Sequence, residues 1–138
     1  MSTHKKVLQP AGWAQPRGYA NGVAATGRQV FVAGQIGWNE RCEFDSDDFI
    51  AQVRQTLLNI RAVLAEAGAL PEHIVRMTWY LVDKREYIAR GREVGQAYRE
   101  VLGRDYGIAM SAVQVSALME DRAKVEIEVT AVVPELVS

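Results

Sequence analysis

The stretch His73–Asp83, "HIVRMTWYLVD", decides the fold. Met77, Trp79 and Leu81 alternate with Thr78, Tyr80 and Val82, the period of two that an extended strand requires. Both faces are apolar enough to be covered, so the stretch predicts a central strand. Asp83 and Glu86 follow as a capping box for a helix. Its buried stripe is Tyr87, Gly91, Val94, Tyr98 and Val101, and Gly103 stops it. Gly91 and Gly95 each weaken that helix by about 1 kcal/mol relative to alanine, and close packing is the role expected of them.

Upstream, Ile50, Val53, Leu57, Ile60 and Leu64 recur at helical spacing as one apolar stripe. Ser46 is the expected N-cap, Asp47 and Asp48 complement the positive helix start, and Gly68 suits the residue past the end. Earlier still, a short strand is expected at Lys5–Leu8, then the loop "PAGWAQPRGYANG", then strands at Val23–Thr26 and Gln29–Gln35 with Gly27-Arg28 as the turn between them. Downstream, Tyr106–Leu118, "YGIAMSAVQVSAL", alternates Val113, Val115 and Ala117 with Ala112, Gln114 and Ser116. After a turn through Met119–Ala123 comes "KVEIEVTAVV", where Val125, Ile127, Val129 and Ala131 oppose Glu126, Glu128, Thr130 and Val132.

No linker or repeat interrupts residues 1–138, which read as a single domain. The order β-β-β-α-β-α-β-β predicts an α+β sandwich, a mixed six-stranded sheet with two helices on one face. The other face would carry Tyr80, Val82, Gln114, Ser116, Glu126, Glu128 and Val132, too apolar for open solvent and too polar for a dry core. A homo-oligomer with sites at its subunit boundaries satisfies both halves of that mixture.

Composition excludes more than it assigns. Hydrophobic residues at 49% and charged residues at 24% are those of a soluble globular domain. The net charge of −1 supplies no positive field for nucleic acid or an anionic membrane. No apolar run approaches the ~20 residues that span a bilayer, and the first ten residues lack a signal-peptide core. One cysteine, Cys42, forms no internal disulfide and fits a reducing cytoplasm. Neither Cys42 nor the two histidines, His4 and His73, belong to a metal or nucleophile motif. No metal and no cofactor are expected.

In this order and spacing, "GYANGV", "VFVAGQI", "LLNIRAVLAEAG", "IVRMTWYLVD", "SAVQVSAL" and "KVEIEVTAVV" resemble the RidA/YjgF family of reactive-intermediate deaminases, also called endoribonuclease L-PSP or translation initiation inhibitor proteins. The resemblance spans Tyr19 to Val133. It implies a chorismate-mutase-like α+β fold, a homotrimer with clefts between subunits, and hydrolysis of enamines or imines derived from amino acids. It also implies roles for particular residues. Tyr19 matches a tyrosine that closes the cleft, Gly34 and Gln35 match the pocket strand end, and Ala33 stands where a serine is common. Glu126 matches the glutamate that positions or activates water, and Ala112 stands where some members carry cysteine. Trp13 and Trp38 lie in glycine-bearing loops, and Trp38 is the candidate aromatic wall.

Met110 is the departure. The pattern Pro-Ala-Arg-Ser or Pro-Ala-Arg-Thr of deaminating members reads Ile108-Ala109-Met110-Ser111 here. A guanidinium matches carboxylate geometry bidentately, whereas methionine offers only a flexible, polarizable surface. Arg17, Arg28, Arg76 and Arg104 are other possible donors, while Arg85, Arg90, Arg92 and Arg99, interleaved with Glu86, Glu93 and Glu100, read as a solvated face. Three function classes stay open. One is hydrolysis of a larger enamine or imine, such as an aminomuconate. The second is a non-catalytic small-molecule-binding or sensing trimer. The third, an RNA-cleaving or translation-inhibiting protein, is disfavoured by the neutral charge balance.

Overall fold

The computed structural model describes residues 4–135. Its elements are β1 (Lys5–Leu8), β2 (Gly22–Ala25), β3 (Arg28–Ile36), α1 (Phe49–Glu66), β4 (Ile74–Leu81), α2 (Lys84–Ala89), α3 (Gly91–Leu102), β5 (Ala109–Gln114) and β6 (Val125–Val133), with a 3-10 turn at Pro71–His73. The fold is α+β, as expected. The strands divide, however, into a two-stranded ribbon, β1-β2, and a four-stranded sheet in the order β3-β6-β4-β5. The ribbon is held by its own antiparallel pairing and tied to the rest of the fold by the Ala20–Ala109 bridge and by Lys5, whose Nζ donates to the Ile74 carbonyl at 3.2 Å and to Asp105 at 3.1 Å.

Within the sheet, β6 runs antiparallel to β3 and β4, while β4 and β5 are parallel. Alternation in β4 and β6 becomes burial. Met77, Trp79, Leu81, Val125, Ile127, Val129 and Ala131 lie in the core, and Thr78, Tyr80, Glu126, Glu128 and Thr130 are half-buried on the opposite face. The stripe of α1 and the Val94, Ala97, Tyr98 and Val101 side of α3 cover the core face. At the transfer value of 25 cal/mol per Å² such burial is the main favourable term, and truncating a fully enclosed residue such as Leu57 to alanine would cost about 2–5 kcal/mol.

Several local expectations are corrected. Asp48, not Ser46, caps α1, accepting from the Ala51 N–H at 3.0 Å, while Ser46 Oγ accepts from the Asp48 N–H. The second predicted helix is two helices, α2 and α3, broken at Arg90, whose φ of −108° and ψ of 27° leave the helical region just before Gly91. Asp83 caps α2 through the Arg85 N–H instead of a capping box. On the sheet, Gln114 pairs with Leu81 and accepts from the Lys84 N–H, Val132 is buried, and Ser116 and Val82 lie beyond their strands. The uncovered face is instead formed by Phe31, Arg76, Thr78, Tyr80, Glu126, Glu128 and Thr130, with Phe31 71% exposed. Residues 111–114 of β5 are all exposed because β5 is a sheet edge.

One buried polar residue joins the loops around the sheet. Gln52 of α1 donates to the Ser46 and Arg122 carbonyls and accepts from the Lys124 N–H, so all its amide atoms are paired. Gly37 packs directly on it: a Cβ there would lie 2.8 Å from the Gln52 Cα.

Asp48 also accepts from Arg90 at 2.9 Å, linking the start of α1 to the start of α3. The Arg90 guanidinium, helped by the Ala51 N–H, holds the Asp48 carboxyl below its usual range. Because the folded value is depressed, this contribution is present above the unfolded pKa of roughly 4 and is lost as pH falls through the lower folded value. Asp48→Ala is expected to cost about 1 kcal/mol in urea unfolding at neutral pH, the pair itself being solvent-screened. The difference from the parent protein should shrink at roughly pH 3.

Candidate functional site

The expected site residues separate into two groups, one on the β3 edge and the adjoining strand β6, the other at the β5 edge, with Trp38 apart from both. On the β3 side, the β3–β6 register shifts between Val32 and Gln35, so Ala33 and Gly34 together occupy one bulged step. Glu126 of β6 lies directly over Gly34. A Cβ at residue 34 would fall 2.7 Å from the Glu126 carboxyl carbon, so glycine is required for the carboxylate to rest there. Gln35 Nε2 donates to the Ala33 carbonyl at 3.0 Å, closing the bulge on itself. Gly34, Gln35 and Glu126 are thus brought together.

On the same face, Tyr80 donates its hydroxyl to Glu128 Oε1 at 2.6 Å, and this bond holds the phenol above its ordinary pKa. An open hollow of about 440 Å³ lies alongside, lined by Phe31, Ala33, Arg76, Thr78, Glu128 and Thr130.

The second group lies on β5. Met110 pairs with Met77 and therefore faces the helix side. It lines a cavity of about 270 Å³ whose other walls include Trp79, Tyr87, Tyr98, Tyr106, Arg17 and Arg99. Tyr98 and Tyr106 stack at 5.2 Å between centroids and 19° between planes, and Trp79 meets Tyr87 edge-on at 5.7 Å. Burial raises the pKa of both Tyr87 and Tyr98, and Tyr98 donates its hydroxyl to the Asp105 carbonyl. The Trp79 indole N–H is buried without a hydrogen-bond partner.

Tyr19 sits at this edge too, because the Ala20 N–H donates to the Ile108 carbonyl at 2.8 Å. Ala112 lies two residues beyond Met110, exposed along the strand. Trp38 packs instead on Phe44 at 5.9 Å, in a separate hollow with Cys42 and Met119. Glu126 is on β6, two strand spacings or about 10 Å from β5, and lies on the open face of the sheet, whereas Met110 faces the helices. Within one chain the two side chains therefore lie on opposite faces of the sheet.

The arginines correct the reading of a solvated helical face. Arg90 is half-buried and bonded to Asp48 and Glu93. Arg99 is also half-buried: its Nη1 lies 3.4 Å from the Tyr106 hydroxyl and 3.1 Å from the place a Gly95 Cβ would take. Of the donors considered, Arg17 reaches the cavity, whereas Arg28 is bonded to the Ala67 carbonyl and Arg76 lies in the open-face hollow. Arg99, Tyr87, Tyr98 and Tyr106 were not expected site residues. The available signal was the i, i+4 relation of Gly95 and Arg99, which stacks the guanidinium over a position with no side chain. Among the described residues, no group of three or more His, Cys, Asp or Glu could hold a metal ion, and no helix is long and apolar enough to cross a membrane.

Known proteins share this architecture over nearly its whole length. Residues 13–133 match the family model described as Endoribonuclease L-PSP. A RutC family protein of Synechocystis sp. is 33% identical over 131 residues, which is 94% of this chain and 97% of that protein. The crystal structure of YyfB from Yersinia pestis, a protein of unknown function of the conserved Rid protein family, has a TM-score of 0.82 at 32% identity, covering 95% of this chain and 100% of its own. That of E. coli TdcF with bound serine has a TM-score of 0.66 at 29% identity, covering 92% and 98%.

Gly34→Ala tests the bulge contact. The obstructing atoms belong to the end of a flexible side chain, so stability should stay within about 1 kcal/mol of the parent in thermal unfolding. A crystal structure of the variant is expected to show the Glu126 carboxylate swung off β3.

Proposed function

The chain belongs to the endoribonuclease L-PSP family, the RidA/YjgF or Rid proteins, and on that premise we propose that it hydrolyses an enamine or imine in clefts formed between subunits of a homotrimer. The observation that carries this reading is the division of the site residues between opposite sheet edges. Glu126 rests on Gly34 beside β3, and the Met110 cavity opens at β5. A second copy that sets its β5 edge against β3 of the first completes one site from two halves, and head-to-tail contacts of this kind close into a ring. Phe31 at 71% and Val113 at 45% exposure are apolar surfaces that such a contact would cover.

In the completed site Glu126 is the general base. It takes a proton from water as the oxygen attacks the imine carbon and passes that proton to the nitrogen, giving a carbinolamine. The carbinolamine hydroxyl then gives its proton, by way of the same carboxylate, to the nitrogen as C=O forms, the C–N bond breaks, and ammonia leaves with a keto acid. The bulged backbone at Gly34 and Gln35 orients the substrate, and Tyr19, in the loop fastened to β5, closes over it. No electron transfer enters this sequence, so no redox cofactor is needed. The substrate is larger than the small imines of serine and threonine breakdown, because Met110 offers no charge for a carboxylate at its position. That TdcF was crystallised with bound serine supports an amino-acid-shaped ligand for this kind of fold.

The test is keto-acid release from imines made in situ. Weak or no acceleration is expected with 2-aminoacrylate or 2-iminobutanoate, and acceleration is expected with the imine of phenylalanine made by an amino-acid oxidase. Glu126→Ala should reduce that acceleration by about 10²-fold or more. Fast turnover of the small imines would contradict the role given to Met110. No turnover of any imine, with ligand binding retained, would favour a non-catalytic binding protein.

A further inference from the structure

We infer that Arg99, from α3, is the carboxylate-binding residue of the cavity beside Met110, and that this cavity takes a planar aromatic monocarboxylate. The inference rests on the site proposed above but does not require that site to be catalytic.

The cation comes first. Arg99 lies near the end of α3, and its side chain runs back over Gly95, four residues earlier. With Nη1 only 3.1 Å from the place of a Gly95 Cβ, a larger residue there would press on the guanidinium. Glycine is otherwise a poor choice inside a helix. The room it leaves is occupied by the guanidinium, on the wall of the same cavity as Met110.

The charge is also uncommitted. Neighbouring arginines are neutralised: Arg90 by Asp48 and Glu93, Arg54 by Glu100, Arg85 by Asp83. Among the described residues, neither Arg99 nor Arg17 has a carboxylate within ion-pair distance. Arg99 has only the Tyr106 hydroxyl, a neutral group at the long end of hydrogen bonding. A half-desolvated guanidinium without a counter-ion is a carboxylate receptor, and Arg17 adds a second positive charge to the same wall.

The rest of the cavity selects the ligand's body. Trp79, Tyr87, Tyr98 and Tyr106 present aromatic surface, and Met110 adds a polarizable thioether. At about 270 Å³ the space suits a single ring bearing a short acid arm. The competing explanation is that Arg99 merely covers Gly95 with its methylenes.

Calorimetric titration with phenylpyruvate, and with pyruvate for comparison, separates the two. The parent protein should bind phenylpyruvate at least tenfold more tightly than pyruvate. Arg99→Leu should weaken phenylpyruvate binding tenfold or more, Arg99→Lys should retain part of it, and Arg92→Leu, exposed on the same helix, should not change it. Gly95→Leu is the second variant: it should raise the thermal midpoint by favouring the helix, yet weaken binding as Arg99→Leu does. The inference is overturned by unchanged binding in Arg99→Leu, by equal affinity for the two acids, or by no phenylpyruvate binding at millimolar concentration. Arg99-dependent binding without imine turnover would remove the catalytic reading alone. Imine turnover unaffected by Arg99→Leu would remove this inference alone.

Discussion

The order of four strands, β3-β6-β4-β5, is the constraint on which the rest of the structure depends. It places the two most buried strands, β4 and β6, at the centre, where their apolar faces are covered by α1 and α3. It also sends β3 and β5 to opposite edges, and these carry the two sets of residues expected to act together. A bulge on one edge seats Glu126 against a glycine, and a packed aromatic cavity opens beside the other. Neither edge is a complete site. In the function proposed for the chain, a second copy completes the site that this strand order divides.

The helices do more than cover the sheet. The helical path is broken at Arg90, and the bonds from Arg90 to Asp48 and Glu93 tie the start of α3 to the start of α1. Further along α3, Gly95 and Arg99 line the cavity with Tyr106, from the loop before β5. A cation is thereby delivered from the helix to a cavity whose strand position holds methionine. Moving the charge from strand to helix leaves the aromatic walls in place and changes where a carboxylate would lie.

Much of this was legible in the sequence, for physical reasons. β4 from Met77 to Leu81 and β6 from Val125 to Ala131 alternate because one face packs on helices, and α1 shows an unbroken apolar stripe because it lies flat on the sheet. The edge strand β5 was legible as a strand but not in its burial, since an edge residue loses solvent on only one side. The helix break was hidden because Tyr87, Val94, Tyr98 and Val101 keep a helical rhythm across it. Ser46 and Asp48 are both good caps, and only the position of Arg90 in space favours the aspartate. Arg99 was misread as solvated because alternating Arg and Glu along a helix ordinarily face water. What buries it is Tyr106, a loop residue whose position follows from tertiary structure.

The central claim, that one site is built from the β3 edge of one subunit and the β5 edge of another, is tested most directly by mixing subunits. Glu126→Ala and Arg99→Leu proteins, each expected to be strongly impaired toward the phenylalanine imine at low substrate concentration, are unfolded together, refolded and assayed there. In randomly mixed ring assemblies, about one quarter of the sites would combine an intact Glu126 edge with an intact Arg99 edge, restoring that share of the parent activity. Mixed assemblies with no activity above either variant alone would place both halves in a single chain and contradict the shared site.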